Sequence, residues 1–150
     1  MARLVLVSVL TTVLFCGNTV AKERGFGLGV IAGEPTGLSG KWWIEDSAAV
    51  DAAAAWSFGE KSALHLHADY LFHSFSLLKV EKGRLPVYFG IGGRIKFESN
   101  SKVGVRIPVG VDYIFTGAPL DIFLELVPLL DLVPNTKFLF NGGIGVRYFF

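Results

Sequence analysis

The chain has 150 residues, of which 51% are hydrophobic, and its 14 basic and 13 acidic side chains give a net charge of +1. The lysines are scattered rather than grouped in a stripe, so nucleic acid is not expected as a partner. The length fits one domain, and no linker divides it. After residue 21, no uninterrupted apolar run is long enough for a transmembrane helix.

The first 21 residues have the parts of a secretory signal peptide. Arg3 supplies a positive charge, residues 4–15 form an uncharged apolar run, and small residues precede a cleavage position after Ala21. The run is shorter than the roughly 20 residues of a spanning helix, which argues against a retained anchor. Cys16 leaves lipoprotein processing open, although a bulky residue precedes it. We expect cleavage after Ala21 and a single folded unit at 22–150.

The rest of the chain alternates with a period of two, which is typical of β-strands with two different faces. From Val103 to Phe115, apolar residues occupy every odd position, against Arg106 and Asp112 on the other face. About eight such runs follow one another, with turn-forming residues between them, and the last of these turns is predicted at 131–136. They lie at 26–32, 38–43, 50–58, 64–72, 85–97, 103–115, 120–126 and 143–150. The alternation slips at 74–80, where we expect a bulge or a longer loop.

This pattern predicts an all-β fold, an eight-stranded antiparallel up-and-down transmembrane β-barrel. Inside lipid every backbone polar group must be paired within the protein, and a chain without spanning helices achieves this as a closed barrel. Alternation alone also fits a soluble lipocalin-like ligand-binding barrel in the periplasm. In such a barrel the apolar face would point inward and the polar face would point into water. The composition of the polar face distinguishes the two.

The polar face carries glycine and alanine mixed with charges, whereas a face in water is usually rich in lysine, threonine, glutamate and glutamine. Most of the lysines lie in the predicted turns instead. We therefore predict that this face lines a narrow lumen, where five positive and five negative side chains pair with one another. The predicted lumen network is structural and consists of Lys41, Asp51, His65, His67, Asp69, Arg94, Lys96, Arg106, Asp112, Asp121, Glu125 and Arg147.

The last residues place Val146, Tyr148 and Phe150 on one face. This arrangement resembles the C-terminal assembly signal of bacterial outer-membrane barrels, in which an aromatic residue follows alternating apolar residues. The resemblance implies recognition of the last strand by the barrel assembly machinery.

Longer segments also resemble a family of short bacterial outer-membrane β-barrel proteins of mostly unknown function. The segments are GFGLGVIAGEPTGLSGKWW, ALHLHADYLFH, LPVYFGIGGRIKF, VGVRIPVGVDYIF and GGIGVRYFF. The resemblance implies an eight-stranded barrel at the cell surface and, for some spirochaete relatives, binding of host complement regulators. It implies no catalytic residues, and no segment of this chain is assigned to such a partner.

Two histidines and a carboxylate, His65, His67 and Asp69, recur at every second position of one run. Along a strand they would point the same way, about 7 Å apart at each step. Such a set can supply metal ligands. A lumen-lining strand gives the same pattern without an ion, so we predict a hydrogen-bonded network, with no metal and no cofactor.

An outer-membrane lipid-modifying enzyme is a further alternative. It would need a nucleophile near a histidine and a carboxylate, and His73 is close in sequence to Ser74 and Ser76, while Ser57 and Ser62 lie in an earlier segment. None of these residues lies in a recognisable catalytic motif, so we do not expect an enzyme.

The function favoured by the sequence is therefore that of a small integral outer-membrane barrel of a Gram-negative cell, with a structural or surface-interaction role. Its expected partners are outer-membrane lipids and the assembly machinery, and an extracellular protein partner is left open.

Overall fold

The computed structural model describes residues 25–33, 36–57 and 63–150. The predicted signal peptide at 1–21 lies outside the described residues. Those residues form nine antiparallel strands and no helix: β1 (Phe26–Gly33), β2 (Gly37–Trp43), β3 (Ala48–Ser57), β4 (Ala63–Ser74), β5 (Val87–Phe97), β6 (Lys102–Arg106), β7 (Val109–Ile114), β8 (Leu120–Val133) and β9 (Lys137–Phe149). No helix long and apolar enough to cross a membrane occurs in these ranges.

The strands close into a ring of eight. Consecutive strands pair with each other, and β6 and β7 together occupy the single position between β5 and β8. The ring closes where β1 pairs with β9, in a register that runs from Gly27 opposite Phe149 to Gly33 opposite Gly143. The prediction of an eight-stranded antiparallel up-and-down barrel is confirmed.

The sixth barrel strand is interrupted, although the sequence predicts one continuous run at 103–115. Ile107 and Pro108 separate β6 from β7, because a proline has no backbone N–H to donate to the ladder. The Ile107 N–H still donates to the carbonyl oxygen of Pro128 on β8. In an antiparallel sheet, the N–H and C=O of one residue point toward the same neighbouring strand. The nitrogen of Pro128, which carries no hydrogen, therefore points toward the interruption between β6 and β7.

The last two strands are longer than predicted. β8 continues beyond Leu126 to Val133, and β9 begins at Lys137 rather than at 143, with Asp131 opposite Lys137 in the register. The predicted turn at 131–136 therefore shrinks to residues 134–136. Inward and outward residue types alternate through this stretch, but proline and aspartate, at positions 128 and 131, are residue types typical of turns.

The connections lie at two ends of the barrel. Residues 44–47, 75–86 and 115–119 lie at the end that also holds Phe150, which we call the Phe150 end. Residues 98–101 and 134–136 lie at the opposite end. The predicted slip at 74–80 corresponds to the start of the loop at 75–86, which begins where β4 ends.

The two faces of the sheet differ in burial and in polarity. On β4 the inward side chains His65, His67 and Asp69 are buried, whereas Leu66 and Phe72 on the outward face are exposed. Every barrel strand repeats this alternation, and a small apolar cluster packs within the lumen: Ile31, Ala53, Leu71, Tyr88 and Phe123.

Candidate functional site

The lumen is the candidate site, because the charged side chains of the strands converge there. The structure places all of the predicted lumen residues on the inward face, and all of them except Lys96 are buried. Eight of the twelve belong to three groups of contacts along the barrel.

The first group lies toward the Phe150 end and centres on Lys41, whose position on β2 points it inward. Its Nζ donates to Asp112 Oδ2 at 2.5 Å and to His73 Nε2 at 2.8 Å, and lies 4.0 Å from Asp121 Oδ2. Arg147 Nε donates to the other oxygen of Asp121 at 3.0 Å. Two cations and two carboxylates thus balance each other in this group.

The second group centres on Arg106, at the last position of β6. Its Nε lies 3.0 Å from Asp69 Oδ1, and its Nη2 lies 3.6 Å from Glu125 Oε1. The hydroxyl of Tyr88 donates to the other oxygen of Glu125 at 2.8 Å. Four different barrel strands are joined across the lumen by these contacts.

The third group is a pair, Arg94 on β5 and Asp131 on β8. The guanidinium donates twice to the carboxylate, with distances of 3.0 Å from Nε and 2.6 Å from Nη2. The sequence prediction missed Asp131, because it was assigned to a turn. The signal that could have found it is the alternation of Val127, Leu129 and Asp131, all of which point inward and are buried.

Lys96, also predicted as a lumen residue, points inward and lies at the mouth of the lumen. Its side chain is 33% exposed and its Nζ lies 3.8 Å from Glu98, a residue of the turn at 98–101. A cavity of about 470 Å³ opens here at the opposite end, lined in part by His65, Arg94 and Lys102. Strand parity predicts the inward direction of Lys96 but not its depth.

The three histidines have different surroundings. His73 contacts Lys41, and its ring lies 4.3 Å from the ring of Trp43, which the parity of β2 places inside the barrel. The rings of His65 and His67 have centroids 5.6 Å apart. One ligand-type atom from each of Asp51, His67 and Asp69 lies within 4.8 Å of the others.

Among the described residues, neither Ser74 nor Ser76 forms a hydrogen bond with the His73 ring. Ser74 and Ser76 contact each other through their hydroxyl oxygens, 3.4 Å apart. Ser62 and the side chain of Ser57 lie outside the described part of the structure. The absence of enzymatic activity stays a prediction.

Val146 and Tyr148 point outward from β9, and Phe150, which follows that strand, is also exposed. Their role in assembly stays a prediction.

The fold and its interior define a small closed antiparallel barrel with a charged lumen. A similar solved structure is the N-terminal β-barrel domain of OprF from Pseudomonas aeruginosa, with a TM-score of 0.56. The alignment covers 82% of this chain and 93% of that domain, at 14% sequence identity, so the likeness shows the fold. No family model and no curated protein sequence matches the chain.

Proposed function

We propose that the chain is a small integral outer-membrane β-barrel protein with a structural or surface-interaction role. The observation that carries this proposal is the polarity of the barrel. Charged side chains are buried inside it, and large apolar side chains are exposed outside it. A soluble barrel has the reverse arrangement, with an apolar core inside and a polar surface in water.

The apolar exterior extends around the ring. On β8 the outward residues Ile122, Leu124 and Leu126 are 42%, 56% and 66% exposed, and every barrel strand contributes residues of the same kind. Soluble monomers rarely expose continuous apolar patches larger than a few hundred Å². Lipid acyl chains would cover this surface, and the closed ladder would leave no sheet edge in the lipid.

The lengths of the longer strands and the outward aromatic residues fit the same surroundings. β5 has 11 residues and β8 has 14, whereas a tilted strand needs about 9–11 to cross a bilayer. Outward aromatic residues such as Trp42, Phe97 and Tyr148 lie toward strand ends, as in interfacial belts. Together with the predicted signal peptide, these features favour export to the outer membrane of a Gram-negative cell.

A wide pore does not fit the lumen. The side chains of Arg106, Arg147, Tyr88 and Phe123 are fully buried within it, and an eight-stranded barrel has just enough interior to be filled by side chains. The Arg147 guanidinium lies 4.0 Å from the Phe123 ring centroid, so even the larger groups pack directly against each other. This filling supports a structural or surface role rather than a conducting one.

The same filling weakens the other two candidate functions. A lipocalin-like carrier needs an internal apolar cavity, and here the middle of the lumen is filled by charged and bulky side chains. A lipid-modifying enzyme needs an activated nucleophile, and His73 is instead bonded to Lys41. We further propose outer-membrane lipids as partners of the exterior, and the assembly machinery as a partner of Val146, Tyr148 and Phe150 on the last strand.

Electrophoretic mobility tests the proposed class. Outer-membrane barrels stay folded in mild detergent and unfold only on heating, because the whole hydrogen-bonded ring must open at once. We expect unboiled protein to migrate as a compact band and boiled protein to migrate at its full length. A single mobility under both conditions, with protein recovered from the soluble periplasmic fraction, would contradict the proposal.

A further inference from the structure

Two carboxylates lie side by side in the lumen, near an imidazole. Asp51 on β3 is directly opposite Asp69 on β4, and His67 is two residues before Asp69 on the same face. All three residues are buried, and one ligand-type atom from each lies within 4.8 Å of the others. The sequence pattern suggested His65 as the third member of such a set, but the register brings in Asp51 instead.

This cluster has buried polar atoms that lack protein partners. Asp51 Oδ1 and His67 Nδ1 have no hydrogen bond within the described residues. Arg106 forms an ion pair with Asp69, whereas no lysine or arginine of the described residues lies within 4.0 Å of the Asp51 carboxylate as an ion-pair partner. A buried carboxylate without a positively charged partner is costly in its ionised form, so either a proton or a bound cation offsets the charge of Asp51.

The charge balance of the buried lumen side chains also leaves room for a bound cation. Within the described residues, the buried side chains that can carry charge are six carboxylates and four cations, which is an excess of two negative charges when all are ionised. They are Asp51, Asp69, Asp112, Asp121, Glu125 and Asp131, against Lys41, Arg94, Arg106 and Arg147. A divalent cation would offset the excess, and the place where a carboxylate lacks a basic partner is Asp51.

We propose that Asp51, His67 and Asp69 bind one divalent transition-metal ion of the zinc type. Imidazole together with carboxylate oxygens is a ligand set that Zn²⁺ accepts, and water can complete a tetrahedral site. Ligand atoms around zinc are about 3.4 Å apart, so the three side chains need to approach one another by up to about 1.4 Å. The ion links β3 to β4, and this site does not depend on whether lipid surrounds the barrel.

Two elements of the structure support occupation of the site. Arg106 contacts Asp69 and fixes the orientation of that carboxylate, which is the usual role of a residue behind a metal ligand. His65 lines the cavity of about 470 Å³ at the opposite end, and its ring centroid lies 5.6 Å from that of His67. An ion can reach the cluster from that cavity or bind during folding.

The test is titration of Zn²⁺ into folded, metal-free protein in detergent, purified without a histidine tag and followed by calorimetry. We expect one Zn²⁺ per chain and a weakening of about tenfold or more in each of two variants, Asp51→Asn and His67→Gln. His65→Gln is the matched control, since it removes a histidine from the same face of β4 outside the cluster and should bind within about twofold of the original protein.

Each variant is first checked for the compact unboiled band, so that a loss of binding is not a loss of folding. If Asp51→Asn does not fold, His67→Gln carries the test. Absence of stoichiometric binding in the original protein would overturn the proposal and favour a proton shared by Asp51 and Asp69. Binding that is lost in His65→Gln but kept in Asp51→Asn would overturn it as well.

Discussion

Replacement of Arg106 by alanine is expected to lower the free energy of unfolding by about 3–5 kcal/mol. The side chain is fully buried and lies between Asp69 and Glu125. Its removal leaves both carboxylates inside the barrel without their cation, next to Asp51, which has no ion pair with a lysine or arginine in the described residues. Denaturant unfolding in detergent or lipid vesicles measures the effect.

The matched control for Arg106→Ala is an outward residue three positions further along. Val109 is 45% exposed on the apolar exterior. In lipid, Val109→Leu should leave the free energy of unfolding nearly unchanged, because the extra methylene group contacts fluid acyl chains. Overpacking a protein core, by contrast, costs roughly 1–3 kcal/mol. A harmless Arg106→Ala beside a damaging Val109→Leu would contradict the assignment of the two faces.

Replacement of Gly29 by alanine should destabilise the barrel by about 3 kcal/mol or more, at the upper end of what overpacking costs. Gly29 lies on β1 opposite Arg147, at the seam where β1 and β9 close the ring. A Cβ at this position would overlap the carbonyl oxygen of Val146 and come within 2.7 Å of the Arg147 Cα. Both are backbone atoms, so relief requires the strands to move apart. The denaturant concentration at the midpoint of unfolding and the fraction of unboiled protein that migrates as the compact band both measure the effect.

Gly40 on β2 provides the control for this steric argument. A Cβ at Gly40 would have its nearest contact at 3.7 Å, an ordinary van der Waals distance. Gly40→Ala should therefore change the free energy of unfolding by less than about 1 kcal/mol. Equal losses for the two alanine variants would mean that glycine content, rather than close approach at the seam, determines their stability.

Much of the fold could be predicted from the sequence, because burial in this barrel follows residue parity. His65, His67 and Asp69 point inward and Leu66 points outward for the same reason, the alternation of successive side chains along a strand. Parity gives no information on where pairing is interrupted. Pro108 therefore interrupts a run whose polar and apolar residues alternate without exception. Pro128 is accommodated within β8, because its nitrogen, which has no hydrogen to donate, points toward the interruption between β6 and β7.

Less of the site could be predicted, because its contacts depend on register and on distance across the lumen. The register of β3 against β4 brings Asp51 beside Asp69, whereas spacing along one strand had suggested His65. Asp131 belongs to the lumen through its pair with Arg94, although its composition resembles a turn. Partners on different strands are not encoded by a period of two along one strand.

The accessibility of the exterior to lipid tests the central claim most directly. Spin labels attached at Ile91→Cys and Leu124→Cys, both outward, can be compared in lipid vesicles with a label at Ser76→Cys in the exposed loop at 75–86. Cys16 is replaced by serine wherever that residue is retained. We expect the labels at 91 and 124 to collide more often with oxygen, which concentrates in acyl chains, than with a water-soluble nickel chelate, and the label at 76 to show the reverse. Equal access of the nickel chelate to all three positions would contradict a barrel whose exterior faces lipid.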